Sequence, residues 1–90
     1  MKEFEERGRT LRWAAKHLVL EYLQASNHCQ PGGEGERLSQ IFRACGFDWG
    51  EYANATSSNQ QYWIVAAMRE LESAGKVERV SESGPWRLRR

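Results

Sequence analysis

The sequence predicts an α+β fold, mostly α, in which three helices are followed by a C-terminal β-hairpin. Three observations carry that expectation. Apolar residues recur at three- and four-residue spacing in three separate stretches, the mark of amphipathic helices. Gly46 and Gly75 stand where two of those stretches end, and glycine is the usual helix terminator. After Gly75 the period changes to two, with Trp86 and Leu88 alternating with Arg87 and Arg89, as in a strand with one buried face. The 90 residues suffice for one domain and not two. The expected organisation is a charged N-terminal arm over residues 1–9 and a single domain over residues 10–90.

Composition narrows the function classes. Hydrophobic residues at 40% and charged residues at 28% are ordinary for a soluble domain. No apolar run is long enough to cross a bilayer, and the acidic start Lys2-Glu3-Phe4-Glu5-Glu6 lacks the apolar stretch of a signal peptide. The expectation is an intracellular, cytoplasmic protein with no membrane partner. Cys29 and Cys45 show no CxxC spacing and are expected as free thiols. With His17 and His28 they number four possible ligands, but the spacing matches no standard zinc module, so no metal is expected. No Ser/His/Asp, Cys/His or paired-carboxylate pattern argues for catalysis, and the chain is expected to be a non-enzymatic domain without a cofactor.

The elements follow in order. Thr10 is read as the N-cap of a helix running to Ser26, with Leu11, Ala14, Ala15, Leu18, Tyr22 and Ala25 as its buried face. Trp13, Val19 and Leu20 then lie off the stripe. They offer either a surface for a homodimer or protein partner, or, for Trp13, a cover over one end of the core. Asn27 to Gly35 is a loop. Its glycines serve turn geometry and do not form a phosphate-binding loop, because no Gly-Lys-Ser/Thr follows.

Glu36 to Cys45 reads as a short second helix with Leu38, Ile41 and Phe42 inward. Phe47 to Thr56 is a polar-aromatic connection, with the roles of Trp49 and Tyr52 open. The third helix starts with a capping-box pattern, Ser58 with Gln61 or Ser57 with Gln60, and runs to Ala74. Ile64, Ala67, Met68, Leu71 and Ala74 fall on its inner face. Asn59, Tyr62, Ala66, Arg69 and Ser73 fall opposite. Lys76 to Ser81 and Trp86 to Arg89 are the strands. Val77 and Val80 cannot both point inward from a regular strand, so a bulge or a turn is expected at Val80.

The run MRELESAGKVERVSESGPWRLR (residues 68–89) resembles the third helix and wing of winged helix-turn-helix domains. The likeness covers residues 10–90 and is close over 60–90. It includes winged-helix modules fused to restriction-type nucleases and small transcription regulators, and it implies duplex DNA binding through the third helix (about 58–74) and the wing (76–89).

The residues support the same expectation directly. A groove-entering helix needs small and hydrogen-bonding side chains that can approach base edges. Asn59, Tyr62, Ala66 and Arg69 provide them, and Ser57, Ser58, Gln60 and Gln61 crowd the first turn, where free N–H groups favour phosphate. Arg79, Arg87 and Arg89 are expected to reach the DNA backbone or minor groove. Each has a structural alternative. The Ser-Ser-Asn-Gln-Gln run is also a capped helix start, Tyr62 also a packing residue, and Arg69 also a partner for Glu70 or Glu72. Arg87 and Arg89 also suit a charged edge strand. The net charge of +1 and the broad apolar surface of the first helix leave a protein-interaction module as the competing function.

Overall fold

The computed structural model describes residues 2–47, 62–82 and 84–90, and the side chains at 62–64 fall outside that description. Among the described residues, three helices precede an antiparallel hairpin: α1 (Lys2–Ala25), α2 (Leu38–Ala44), α3 (Tyr62–Ser73), β1 (Val77–Arg79) and β2 (Trp86–Leu88). The mostly helical α+β architecture expected from the sequence is what the chain adopts. No helix among the described residues is long and apolar enough to cross a membrane.

α1 begins eight residues before Thr10, at Lys2, so the stretch expected as a frayed arm is its first turns. Glu3 and Glu5 lie in the first turn, where carboxylates complement the partial positive charge of a helix N-terminus. Thr10 is inside the helix and does not cap it: its hydroxyl donates to the Glu6 carbonyl one turn back, at 3.0 Å. Gly8 costs the helix up to about 1 kcal/mol relative to alanine without breaking it.

The buried stripe of α1 is Ala15, Val19 and Leu23; of the face expected, Ala15 is buried and Tyr22 half-buried, and the rest is not. Leu11, Ala14, Leu18 and Ala25 are exposed, and Leu11 is 71% exposed. The reason is that α1 carries two apolar stripes side by side, and only one meets α2, α3 and the hairpin. This also corrects the expected partner surface. Val19 is 2% exposed and Leu20 is half-buried against the same cluster. Of the three residues named for a partner, only Trp13 stays outside, and its ring lies against that of His17 with centroids 3.9 Å apart.

The core joins Val19, Leu23, Cys29, Ile41, Met68, Leu71, Val77 and Trp86, with Phe42 and Ala15 forming a second cluster beside it. Full burial of side chains such as Phe42, Leu23 and Ile41 contributes roughly 1.5–3 kcal/mol each. In α2, Ile41 and Phe42 are buried and Leu38 half-buried, as its pattern predicts. Glu36 lies before the helix, with its backbone N–H and C=O bonded to Trp86 at 2.9 and 2.7 Å. Gly35 allows that approach, because a Cβ there would meet the Trp86 carbonyl oxygen at 2.7 Å.

In α3, Ala67, Met68 and Leu71 are buried and Ala74 is exposed just past the helix end. The helix closes at Gly75 (φ 75°), with Gly75 N–H bonded to the Glu72 carbonyl and Lys76 N–H to that of Leu71, both at 3.0 Å. That doubled pattern needs the left-handed conformation glycine adopts freely. The hairpin register pairs Val77 with Leu88, Glu78 with Arg87 and Arg79 with Trp86. Val77 is buried and Val80 exposed beyond the end of β1, which resolves their conflict in favour of the turn.

Candidate nucleic-acid interface

α3 buries Ala67, Met68 and Leu71, so helical geometry turns Ala66, Arg69 and Ser73 outward, and all three are exposed. This is the described part of the face expected to meet DNA. Ser57, Ser58, Asn59, Gln60 and Gln61 lie outside the described residues, as do Trp49, Tyr52 and the rest of 48–56. Tyr62 opens α3, and of its side chain nothing is described.

Glu70 and Glu72, the carboxylates that could have neutralised Arg69, are engaged elsewhere. Lys16 reaches Glu70 at 2.9 Å and Arg12 at 3.9 Å, tying α1 to α3. Those cations, led by the Lys16 hydrogen bond, hold the Glu70 carboxyl below its ordinary pKa. Glu72 pairs with Arg79 at 3.5 Å. Arg69 therefore projects with neither expected partner, into a cleft of about 320 Å³ between α2, α3 and the hairpin. Arg37, Leu38, Ser39, Val65, Arg79 and Trp86 also line it.

The hairpin arginines divide into two kinds. Arg79 is held by Glu72, by a 2.9 Å bond to the Glu82 carbonyl, and by the Trp86 ring, whose centroid is 5.6 Å from the guanidinium carbon. Arg87 donates to Glu78 and to the Gly33 carbonyl, both at 2.7 Å, and so ties the glycine loop to the wing. Both are structural cations first. Arg89 is exposed at the end of β2, next to Arg90 and Pro31-Gly32. Sequence reasoning missed Arg37. The sequence pattern puts it inside the second helix, whereas it precedes that helix and its backbone N–H is capped by Gln40 at 2.8 Å. Only tertiary packing brings it opposite Arg69, and no local signal marks it.

The thiols and imidazoles do not converge. Among the described residues no group of three His, Cys, Asp or Glu side chains is placed to hold a metal ion. His17 sits against Trp13, and His28 pairs with Glu34. Cys29 is buried, and burial pushes its thiol pKa up, which opposes a nucleophilic role. Cys45 is pushed up to about 11, by burial first and the Glu36 charge second.

Glu36 is a hub instead. Its carboxylate accepts both Tyr22 hydroxyl contacts (2.6 and 2.8 Å), the Ser26 hydroxyl and, weakly, the Cys29 thiol. Burial alone would raise its pKa, but the hydrogen bonds from Ser26, Tyr22 and Cys29 bring it below the ordinary value. The cluster fixes the end of α1 to the bridge that supports Trp86.

The chain matches no protein-family model, no curated protein and no solved structure.

Proposed function

We propose that this chain is a winged-helix domain that binds double-stranded DNA, with α3 entering the groove and the hairpin acting as wing. The observation that carries the reading is the cleft where the outward face of α3 meets α2 and the hairpin. Among the described residues, Arg37, Arg69 and Arg79 line it together with the carboxylate of Glu72. Small residues, Ala66 and Ser73, flank Arg69 on that face, leaving room for a base edge or phosphate to approach. The elements on either side of the cleft are packed on the core, and Arg79 is held by Glu72, the Glu82 carbonyl and the Trp86 ring, so its guanidinium needs little ordering on binding. In this reading the domain is a binding module working in the cytoplasm, in transcription regulation or beside a nuclease, and carries no catalysis of its own.

The test is titration of a labelled random-sequence duplex at low and moderate salt. Affinity is expected to fall steeply with salt, and Arg69→Gln with Arg37→Gln to reduce the log–log salt slope by about 1 for each phosphate contact removed. Arg87→Gln is expected to do less, because its guanidinium already serves Glu78 and Gly33. Duplex affinity and salt slope unchanged in the Arg37/Arg69 variant would end this reading.

A further inference from the structure

Residues 2–14 of α1 are all exposed. A helical segment of that length is marginal in water, since nucleation is costly and packing of an apolar face normally supplies most of its stability. This segment has such a face. Phe4, Leu11 and Leu18 recur at seven-residue spacing, with Ala14 and Ala25 beside them. The three large side chains are 59%, 71% and 42% exposed. At about 100° per residue this seam lies roughly a quarter turn from the buried Ala15–Val19–Leu23 stripe. Trp13 lies off it. Arg7 and Glu21 also stand on the seam, three residues after Phe4 and Leu18. Both are exposed, and neither is in an ion pair among the described residues.

We infer that this seam is a homodimer interface in which α1 packs antiparallel against α1 of a second copy. Charge sets the partner and the direction. Antiparallel pairing centred on Ala14 puts Arg7 opposite the partner's Glu21, and the two-fold axis repeats the pair at the other end. Leu11 then enters between the partner's Ala14 and the partner's Leu18. Phe4 enters between the partner's Glu21 and the partner's Ala25, as knobs do in a helix pair. Parallel pairing would instead set each Arg7 against another arginine and each Glu21 against another glutamate. A second copy therefore supplies both the apolar seam and the complementary charges in the order required.

Sedimentation velocity over a wide range of chain concentration tests the inference. The intact chain is expected to show a monomer–dimer equilibrium. Leu11→Lys, exposed and away from the core, is expected to weaken the dimer at least about tenfold while leaving the melting of the dilute chain unchanged. Arg7→Glu and Glu21→Arg are each expected to weaken association, and the double charge exchange to restore it. A chain monomeric throughout would overturn the proposal, as would association indifferent to Leu11→Lys. Single charge changes without effect would overturn the antiparallel arrangement, since a parallel pair only exchanges one like-charge contact for another.

Discussion

The two halves of α1 both carry large apolar side chains, more of them in the second half, and the large ones meet different fates. From Ala15 onward the helix buries one stripe against α2, α3 and the hairpin, and Leu23 is 0% exposed. Before Ala15 every described residue is exposed, Phe4 and Leu11 included. Burial is decided by what stands opposite a residue, and apolar character alone does not predict it. The C-terminal half is held by core packing, whereas the N-terminal half has the Arg12–Glu70 ion pair and otherwise depends on helix propensity and on any partner.

The largest expected effect follows from that contrast. Leu23→Ala is expected to destabilise the chain by about 2–5 kcal/mol, the transfer loss plus the cavity left in a packed site. Leu11→Ala, measured where the chain is dilute, is expected to fall within about 0.5 kcal/mol of the unchanged protein, as surface substitutions usually do. Urea unfolding of the two variants checks this. Similar losses in both would break the distinction between the halves.

The same contrast shows what was legible in the sequence. The period of α3 was readable because a single apolar stripe, Ala67, Met68 and Leu71, leaves one solution, and Gly75 marks its end. The hairpin was readable because Trp86, Arg87 and Leu88 alternate. α1 was not, because Leu11, Ala14 and Leu18 form as regular a stripe as Ala15, Val19 and Leu23. A lone helix cannot say which of two stripes its neighbours will meet. Thr10 misled for a related reason: its hydroxyl can cap a helix or bond back within one, and the choice rests on whether helix precedes it. For the candidate site, Arg69 was readable from helical phase alone. That Arg79 and Arg87 are tied to carboxylates, and that Arg37 joins Arg69, depends on contacts between residues distant in sequence.

An intermediate effect belongs to the hub that anchors the C-terminal end of α1. Tyr22→Phe removes the hydroxyl that donates to Glu36 and is expected to cost about 1–3 kcal/mol, because the carboxylate keeps its burial and loses a donor. The pH dependence has a fixed sign. Tyr22 is pushed from 10.0 up to about 12, by burial first and its bond to Glu36 next. Cys45 is pushed from 9.0 to about 11. Both groups favour folding in their protonated forms, so stability is full below about pH 9 and falls as pH rises toward 12. Glu36 has the opposite sign. Its contribution is present above the ordinary value of 4.5 and is lost as pH falls through its depressed folded pKa. Melting temperature followed across pH is expected to drop on both sides, and Tyr22→Phe to flatten the uppermost alkaline part. An alkaline limb unaltered by Tyr22→Phe would assign the loss to other groups.

The smallest effect tests the exposed half directly. Gly8 sits inside α1, and a Cβ built there meets nothing within 4 Å. Its backbone is not in the left-handed region, so no turn or close approach within the chain requires glycine. Gly8→Ala is therefore expected to gain at most about 1 kcal/mol, from reduced backbone freedom in the unfolded chain and better helix propensity. The gain reaches global stability only if the N-terminal turns melt together with the core. Should they fray independently, the dilute variant would show more helical circular dichroism at an unchanged unfolding midpoint. A raised midpoint would show instead that the two halves of α1 unfold as one unit, and that the exposed turns are coupled to the core despite sharing none of its burial.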